Sequence, residues 1–297
     1  MSPSTDPSPP VVIFTDLDGC LLDGITYSWE PAREALAVLR ARRIPLVLVS
    51  SKTRAELEAI RSQLQLDHPF VSENGGAVFS PDGYFSTSPE EAVRRDDYEV
   101  IELGAPYPAL RQALRELEQA VGVRLRGFGD MSVEEIAERT GLTEADVHLA
   151  RQREYDEPFL IEGPASLVTE LQREARDRGL TVTHGGRFHH LMGDSDKGRA
   201  CLHLIERYRR QWQGTAQGLM SVALGDSVND LPMLRVVDHP VLIPRPDGSY
   251  DPGIQLSNLI RAKGIGPVGW DHAVLSLVER DQSGLAPASA PKKRRRR

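Results

Sequence analysis

A short apolar run that ends abruptly on aspartate occurs twice in this chain, once near each end. Val11–Thr15 stops at Asp16 and Asp18 in FTDLDGCLLD (Phe14–Asp23), and Ser221–Leu224 stops at Gly225–Asp226, with Asp230 following, in ALGDSVNDLPML (Ala223–Leu234). Apolar runs this short suit strands buried on both faces, the state of strands in a parallel sheet. Ile44–Val49 and Phe70–Val71 are further runs of this kind, ending at Ser50 and at Ser72–Gly76. Between the first three lie two amphipathic patterns: Pro31–Arg43, with Ala35, Leu36 and Leu39 on one face, and Thr53–Leu64, with Leu57, Ile60 and Leu64. Strand alternating with helix predicts βαβ units with right-handed crossovers. Ala77–Phe79 is expected to pair with Tyr84–Ser86 across the Pro81–Asp82–Gly83 turn.

The middle of the chain has another rhythm. Strands are predicted at Tyr98–Leu103, Arg124–Phe128, Phe159–Glu162, Thr181–His184 and Phe188–Met192. Helices are predicted at Tyr107–Val121, Ser132–Arg139, Thr143–Arg151 and Ser166–Arg178. After Asp196 the first style returns, with helices over Lys197–Gln211 and Asp230–Val236 and a strand at Val241–Ile243. The expected fold class is α/β: a Rossmann-like parallel-sheet core, residues 11–88 and 192–281, carrying an inserted α+β cap domain, residues 89–191. Residues 1–10 and 282–297, rich in Pro and Ser or Ala and then basic, are expected to be disordered tails.

Composition narrows the function. The chain has 297 residues, 36 Lys+Arg and 43 Asp+Glu, for a net charge of −7. Six of those cations are Lys292–Arg297, so the body is more acidic still, which argues against a nucleic-acid-binding body. No stretch reaches the roughly 18 apolar residues of a membrane helix, and the N-terminus has no signal-peptide pattern. Two cysteines, Cys20 and Cys201, are too few for a disulfide framework, which points to a cytoplasmic setting.

In an open parallel sheet, ligands bind beyond the carboxyl ends of the strands. If the two aspartate-terminated strands are neighbours, Asp16, Asp18, Asp226 and Asp230 converge there. Clustered carboxylates repel unless a cation sits among them, and hard oxygen donors suit Mg²⁺. Asp16 and Asp18, two apart on an extended segment, point to the same side, so one can attack phosphorus while the other trades protons. Each aspartate alone reads better as a helix cap, and it is the set at these spacings that points to the metal site. Ser50 is placed to donate to a phosphoryl oxygen, or else to cap the helix that follows. Lys197, one of five lysines in the chain, opens a helix, where a cation opposes the helix dipole and an ordinary surface role fits poorly.

These four elements, in this order, resemble the motifs of the haloacid dehalogenase superfamily of phosphotransferases. The resemblance spans Val11 to about Val278, and the inserted block is similar to the large α+β cap of its Cof-like branch. It implies that Asp16 is the nucleophile and Asp18 the general acid/base. Ser50 and Lys197 then steady the phosphoryl group, and Mg²⁺ is held by Asp16, the backbone carbonyl of Asp18 and Asp226, with Asp230 orienting that set. Cys20 stands where the family usually has Thr. Its loss of a hydroxyl leaves both aspartates intact, and it reads as packing rather than as an oxidant sensor. VSSKT (Val49–Thr53) replaces the TGR common in that branch, and SENGGAVF (Ser72–Phe79), REYDEPF (Arg153–Phe159) and GGRFHHLMGDSDKGRA (Gly185–Ala200) are similar to segments of mannosyl-3-phosphoglycerate phosphatases.

That resemblance implies a small phosphorylated sugar-glycerate substrate and compatible-solute synthesis. Ser51, Lys52, Glu73, Asn74, Gly75, Arg153, Arg187 and His189 are its candidate substrate-binding residues, the arginines offering bidentate carboxylate contacts. Rivals on the same fold are glucosyl-3-phosphoglycerate or sucrose-phosphate phosphatases and a mutase. A rival of another class is a non-catalytic protein tethered to polyanions by its basic tail.

Overall fold

The computed structural model describes residues 10–185, 188–213 and 218–281. Its first half runs β1 (Val11–Thr15), α1 (Arg33–Arg42), β2 (Leu46–Val49), α2 (Arg54–Leu64), β3 (Phe70–Ser72), β4 (Ala77–Pro81), β5 (Val93–Arg95), β6 (Tyr98–Glu102) and α3 (Tyr107–Val121). There follow β7 (Leu125–Gly127), α4 (Val133–Thr140), α5 (Glu144–Ala150), β8 (Asp156–Ile161), α6 (Val168–Arg176), β9 (Thr181–Gly185) and β10 (Phe188–Met192). The chain then continues through α7 (Lys197–Gln211), β11 (Met220–Gly225), α8 (Leu231–Arg235), β12 (His239–Leu242), β13 (Ile260–Arg261) and α9 (Gly266–Asp281). The tails and Arg187 lie outside the described residues.

The described strands form two sheets, the larger ordered β13-β12-β11-β1-β2-β3-β4-β6-β5 and the smaller β7-β8-β10-β9. From β13 to β3 the main sheet is parallel, and β4, β6 and β5 add to it antiparallel. The smaller sheet is antiparallel throughout. This is the expected α/β core with an inserted α+β unit.

Strand alternation builds the layers. Val11 and Ile13 of β1 pack with Leu36 and Leu39 of α1, Leu57 of α2 and Trp270 of α9. Val12 and Phe14 face the other way, onto Cys201 and Leu204 of α7 and Met233 of α8. Both faces of the central strands are therefore covered, which is why their sequences are uniformly apolar. In the inserted unit, α3 and α6 cover one face of the smaller sheet through Leu110, Leu114 and Leu171, and α4 and α5 cover part of the other through Ile136 and Val147.

Two sequence expectations are corrected. Tyr84–Ser86 does not pair with β4; β6 takes that place, with Val78 opposite Ile101. Tyr84 and Phe85 turn inward against Tyr208 of α7, and the Arg207 guanidinium lies 4.0 Å from the Phe85 ring centroid, so side-chain burial outweighs a hairpin there. The strand read at Tyr98–Leu103 was grouped with the inserted block, yet as β6 it extends the main sheet. Its Val100 and Ile101 supply the apolar alternation that sheet needs at its edge.

Candidate active site

β1 and β11 lie side by side in parallel, with Thr15 opposite Leu224. The backbone N–H of Asp16 extends the ladder by donating to the Leu224 carbonyl at 2.9 Å. The acids that follow each strand are thereby brought together. Carboxylate oxygens of Asp16, Asp226 and Asp230 lie within 4.8 Å of one another. After Asp16 the chain turns sharply, with Cys20 N–H donating to the Leu17 carbonyl and Gly19 N–H to that of Leu22. Gly19 has φ +80°, and a Cβ there would come 3.0 Å from Asp226 Oδ2, so both backbone and neighbour require glycine. Cys20 is fully buried and its thiol is pushed well up by burial, which fits packing and not oxidation.

Lys197 is the first residue of α7, behind the Asp196 side-chain cap. It is 1% exposed. Its Nζ donates to Asp16 Oδ1 at 2.6 Å and to Asp230 Oδ1 at 2.7 Å. The surface reading of Lys197 therefore fails: it enters the acid cluster from the first turn of α7. Asp230 is fully buried, and its Oδ2 accepts the backbone N–H groups of Asp226 and Ser227 at 3.0 and 3.1 Å. It shapes the loop that carries Asp226 while it holds the lysine.

Three acids around one lysine leave negative charge uncompensated in a buried place. Burial, outweighing the pull of Lys197, pushes the Asp16 carboxyl well above the usual range, with Asp230 and Asp226 adding to the rise. Burial and Asp230 push Asp226 up to about 7. An all-oxygen donor set with surplus negative charge fits a hard divalent cation.

Ser50 ends β2 and is 1% exposed. It does not cap α2: Thr53 does, in a capping box with Glu56. Ser50 Oγ accepts the Lys52 N–H at 3.3 Å. Lys52 Nζ reaches back to Asp18 Oδ2 at 2.9 Å and lies 5.3 Å from the Tyr27 ring centroid. The Asp18 carboxylate is thus apart from the buried trio, its side chain 41% exposed and directed to Lys52. The amine of Lys52 is pushed up by Asp18 and Glu56 against its burial.

Glu73, Asn74 and Gly75 all have positive φ, at 48°, 56° and 96°. This backbone brings Asn74 N–H to the Ser50 carbonyl at 2.9 Å, and Gly75 so close to Asp196 that a Cβ would lie 2.2 Å from its carbonyl oxygen. Glu73, expected to bind substrate, is fully buried and faces the inserted unit instead. Its Oε1 accepts Glu154 N–H at 2.9 Å and its Oε2 accepts Tyr155 N–H at 2.8 Å. Burial pushes its carboxyl up to about 8, against Arg153 and these two N–H groups. Arg153 Nη1 donates to the Ser51 carbonyl at 2.9 Å and Nε to the Ala150 carbonyl at 2.8 Å, so it too spans the two units.

His189 is turned away from this cleft. On β10 it shares a face with Leu191, in the layer under α3 and α6, its ring 5.6 Å from Phe159 and 4.9 Å from His184. Its neighbour His190 takes the other face, with Nδ1 2.7 Å from Asp156 Oδ2. Alternation along the strand already carried that distinction. Also missed was the support behind the first motif: Trp270 Nε1–H donates to Thr15 Oγ1 at 2.9 Å, and that hydroxyl donates to the Asp16 carbonyl at 2.7 Å.

Acids from two adjacent strand ends with a buried lysine between them define a class of hydrolase that handles phosphoryl groups. Residues 13–93 match the family described as haloacid dehalogenase-like hydrolase. A relative from Methanococcoides burtonii, named glucosyl-3-phosphoglycerate/mannosyl-3-phosphoglycerate phosphatase, is 44% identical over 92% of this chain and 98% of its own. A mannosyl-3-phosphoglycerate phosphatase of Pyrococcus furiosus is 39% identical over 78% of this chain and 90% of its own. The chain belongs to the haloacid dehalogenase-like phosphatases that include these relatives. The fold also matches a crystal structure from Thermoplasma acidophilum, with TM-score 0.59 and 18% identity over 91% of this chain and 97% of that one.

Proposed function

We propose that this protein is a Mg²⁺-dependent phosphatase that hydrolyses mannosyl-3-phosphoglycerate, and its glucosyl counterpart, to the glycosylglycerate and phosphate. The observation that carries the chemistry is Lys197, buried and bonded at once to Asp16 and Asp230. Support for the substrate is the 44% identity to a relative named for both glycosyl esters. The product is a compatible solute made in the cytoplasm.

Asp16 is the nucleophile. A Mg²⁺ ion held by Asp16, the backbone carbonyl of Asp18 and Asp226 would keep Asp16 ionised and neutralise the phosphoryl oxygens. Asp16 forms a bond to phosphorus as the bond to the glycerate oxygen breaks, and that oxygen takes a proton from Asp18. Asp18 then accepts a proton from the water that attacks the aspartyl-phosphate. Phosphate leaves and Asp16 is free again. Lys197 and Ser50 offset charge on the transferring group. Lys52, paired with Asp18 here, is drawn to the anionic substrate when it binds. The unit from α3 to β10 serves as the cap, excluding bulk water and selecting the leaving group.

The test is phosphate release with Mg²⁺ from both glycosyl-3-phosphoglycerates, beside 3-phosphoglycerate and sucrose-6-phosphate. Strong preference for the glycosyl-3-phosphoglycerates is expected, with no turnover in a folded Asp16→Asn variant. Unchanged turnover in that variant overturns the mechanism, and a sucrose-phosphate preference overturns the substrate.

A further inference from the structure

Phe188, His190 and Met192 occupy the face of β10 opposite to His189 and Leu191, and Phe188 packs there with residues of α4 and α5. Asp156 of β8 lies on the same face as His190 and is 0% exposed. Its Oδ2 meets His190 Nδ1 at 2.7 Å, and Arg153 Nη1 stands 3.7 Å from the same oxygen. Arg153 Nη1 also reaches the Ser51 carbonyl, next to Ser50. A polar chain therefore runs from the phosphate-handling loop through Arg153 and Asp156 to His190, which is 9% exposed.

A carboxylate only accepts, so Nδ1 carries a proton in this pair and Nε2 is left for another partner. No described residue bonds to Nε2. Asp156 Oδ1 is also buried with no partner among the described residues, an uncommon state for a carboxylate oxygen. Glu73, Asp156 and Glu157 already crowd the region with acid around Arg153. A polar group set among carboxylates suits a neutral hydroxyl, which can donate or accept, and disfavours a further carboxylate, which brings only charge.

We propose that His190 is a specificity-determining residue whose Nε2 hydrogen-bonds a sugar hydroxyl of the glycosyl-3-phosphoglycerate. The proposal rests on the phosphatase reading above. Asp156 acts through His190 by fixing its tautomer and ring, and is a positioning residue.

The test compares His190→Asn and His190→Gln with the unaltered enzyme, with Mg²⁺ present. The substrates are both glycosyl-3-phosphoglycerates, 3-phosphoglycerate and p-nitrophenyl phosphate. Asn keeps a polar atom toward Asp156 and loses the outward polar atom; Gln can restore it. For Asn, KM on the glycosyl esters is expected to rise roughly tenfold, as a lost hydrogen bond implies. Its kcat, and both constants on the two sugar-free substrates, stay unchanged, and Gln recovers part of the loss. Equal impairment on 3-phosphoglycerate, or no change on any substrate, overturns the assignment. Should Asn not fold, as thermal melting would tell, His190→Ala carries the same expectation. Unaltered enzyme that turns over p-nitrophenyl phosphate but neither glycosyl ester fails the substrate reading itself, a result separate from any effect of the variants.

Discussion

A lysine with 1% exposure between two acids, proposed above to steady the phosphoryl group, is also a stability risk. Removing one partner of a buried ion cluster leaves the other charges unpaired and costs about 3–5 kcal/mol. Lys197→Met is therefore expected to lower the melting temperature and to cut kcat by roughly a hundredfold or more, the scale of one lost electrostatic stabiliser. Thermal unfolding and steady-state assays read the two effects separately. Glu73 gives a prediction in pH. Its carboxyl sits near 8 in the folded chain because of burial, above its ordinary value of 4.5. The folded state thus binds more protons than the unfolded state between those values, so stability falls as pH rises from about 4.5 to about 8. The contribution is on the order of a few kcal/mol. Glu73→Gln is expected to flatten that slope in denaturant titrations at stepped pH, whatever it does to the absolute stability. The roles proposed for Asp16, Asp18, Ser50 and Lys197 were written in the sequence by residue type and order. The choice between His189 and His190 was not, because alternation sets the two on opposite faces without telling which face lies under α3 and α6.

Elements were legible where their own pattern sufficed. Tyr107–Val121 was read with the bounds the structure shows, since Leu110, Leu114 and Leu117 repeat at helical spacing and Gly122 ends the helix in the left-handed region. β13 has two residues and no pattern to read, and α9 escaped because its apolar residues, Trp270, Val274 and Val278 among them, are set among small and polar neighbours. The partner of β4 could not be read locally either, because the aromatic pair Tyr84–Phe85 finds its partner at Tyr208, far along the chain. Thr53 joins elements from both units: it caps α2 and donates its hydroxyl to the Leu149 carbonyl of α5 at 2.9 Å. Thr53→Ala is expected to destabilise the protein by about 1–2 kcal/mol, in line with lost helix caps, measured by the denaturant midpoint.

At the scale of the whole molecule, the acid cluster and the basic tail make separate claims. A cation that binds only the folded state stabilises it by mass action, by about 2.7 kcal/mol at a hundredfold excess over its dissociation constant. Mg²⁺ is expected to raise the melting temperature of the unaltered protein by several degrees, and of Asp226→Asn far less; equal shifts would place the ion elsewhere. Deleting residues 286–297 removes six cations from an otherwise acidic chain. Turnover is expected to stay the same while retention on a polyanion column drops, steeply with salt.

The chain crosses between its two sheets at points that touch. A Cβ on Gly193 would lie 2.6 Å from the backbone nitrogen of Ala105, and one on Gly104 3.0 Å from the Cα of Gly76. The outgoing and returning backbones therefore run against each other with no side chain between them. Two tethers so close together form a single crossing, and beside it the bonds of Glu73, Arg153 and Thr53 tie the two units to each other. Bulk added at either glycine would prise the tethers apart and strain those bonds. Its first sign would be lost fidelity between similar sugars, ahead of any loss of phosphate chemistry.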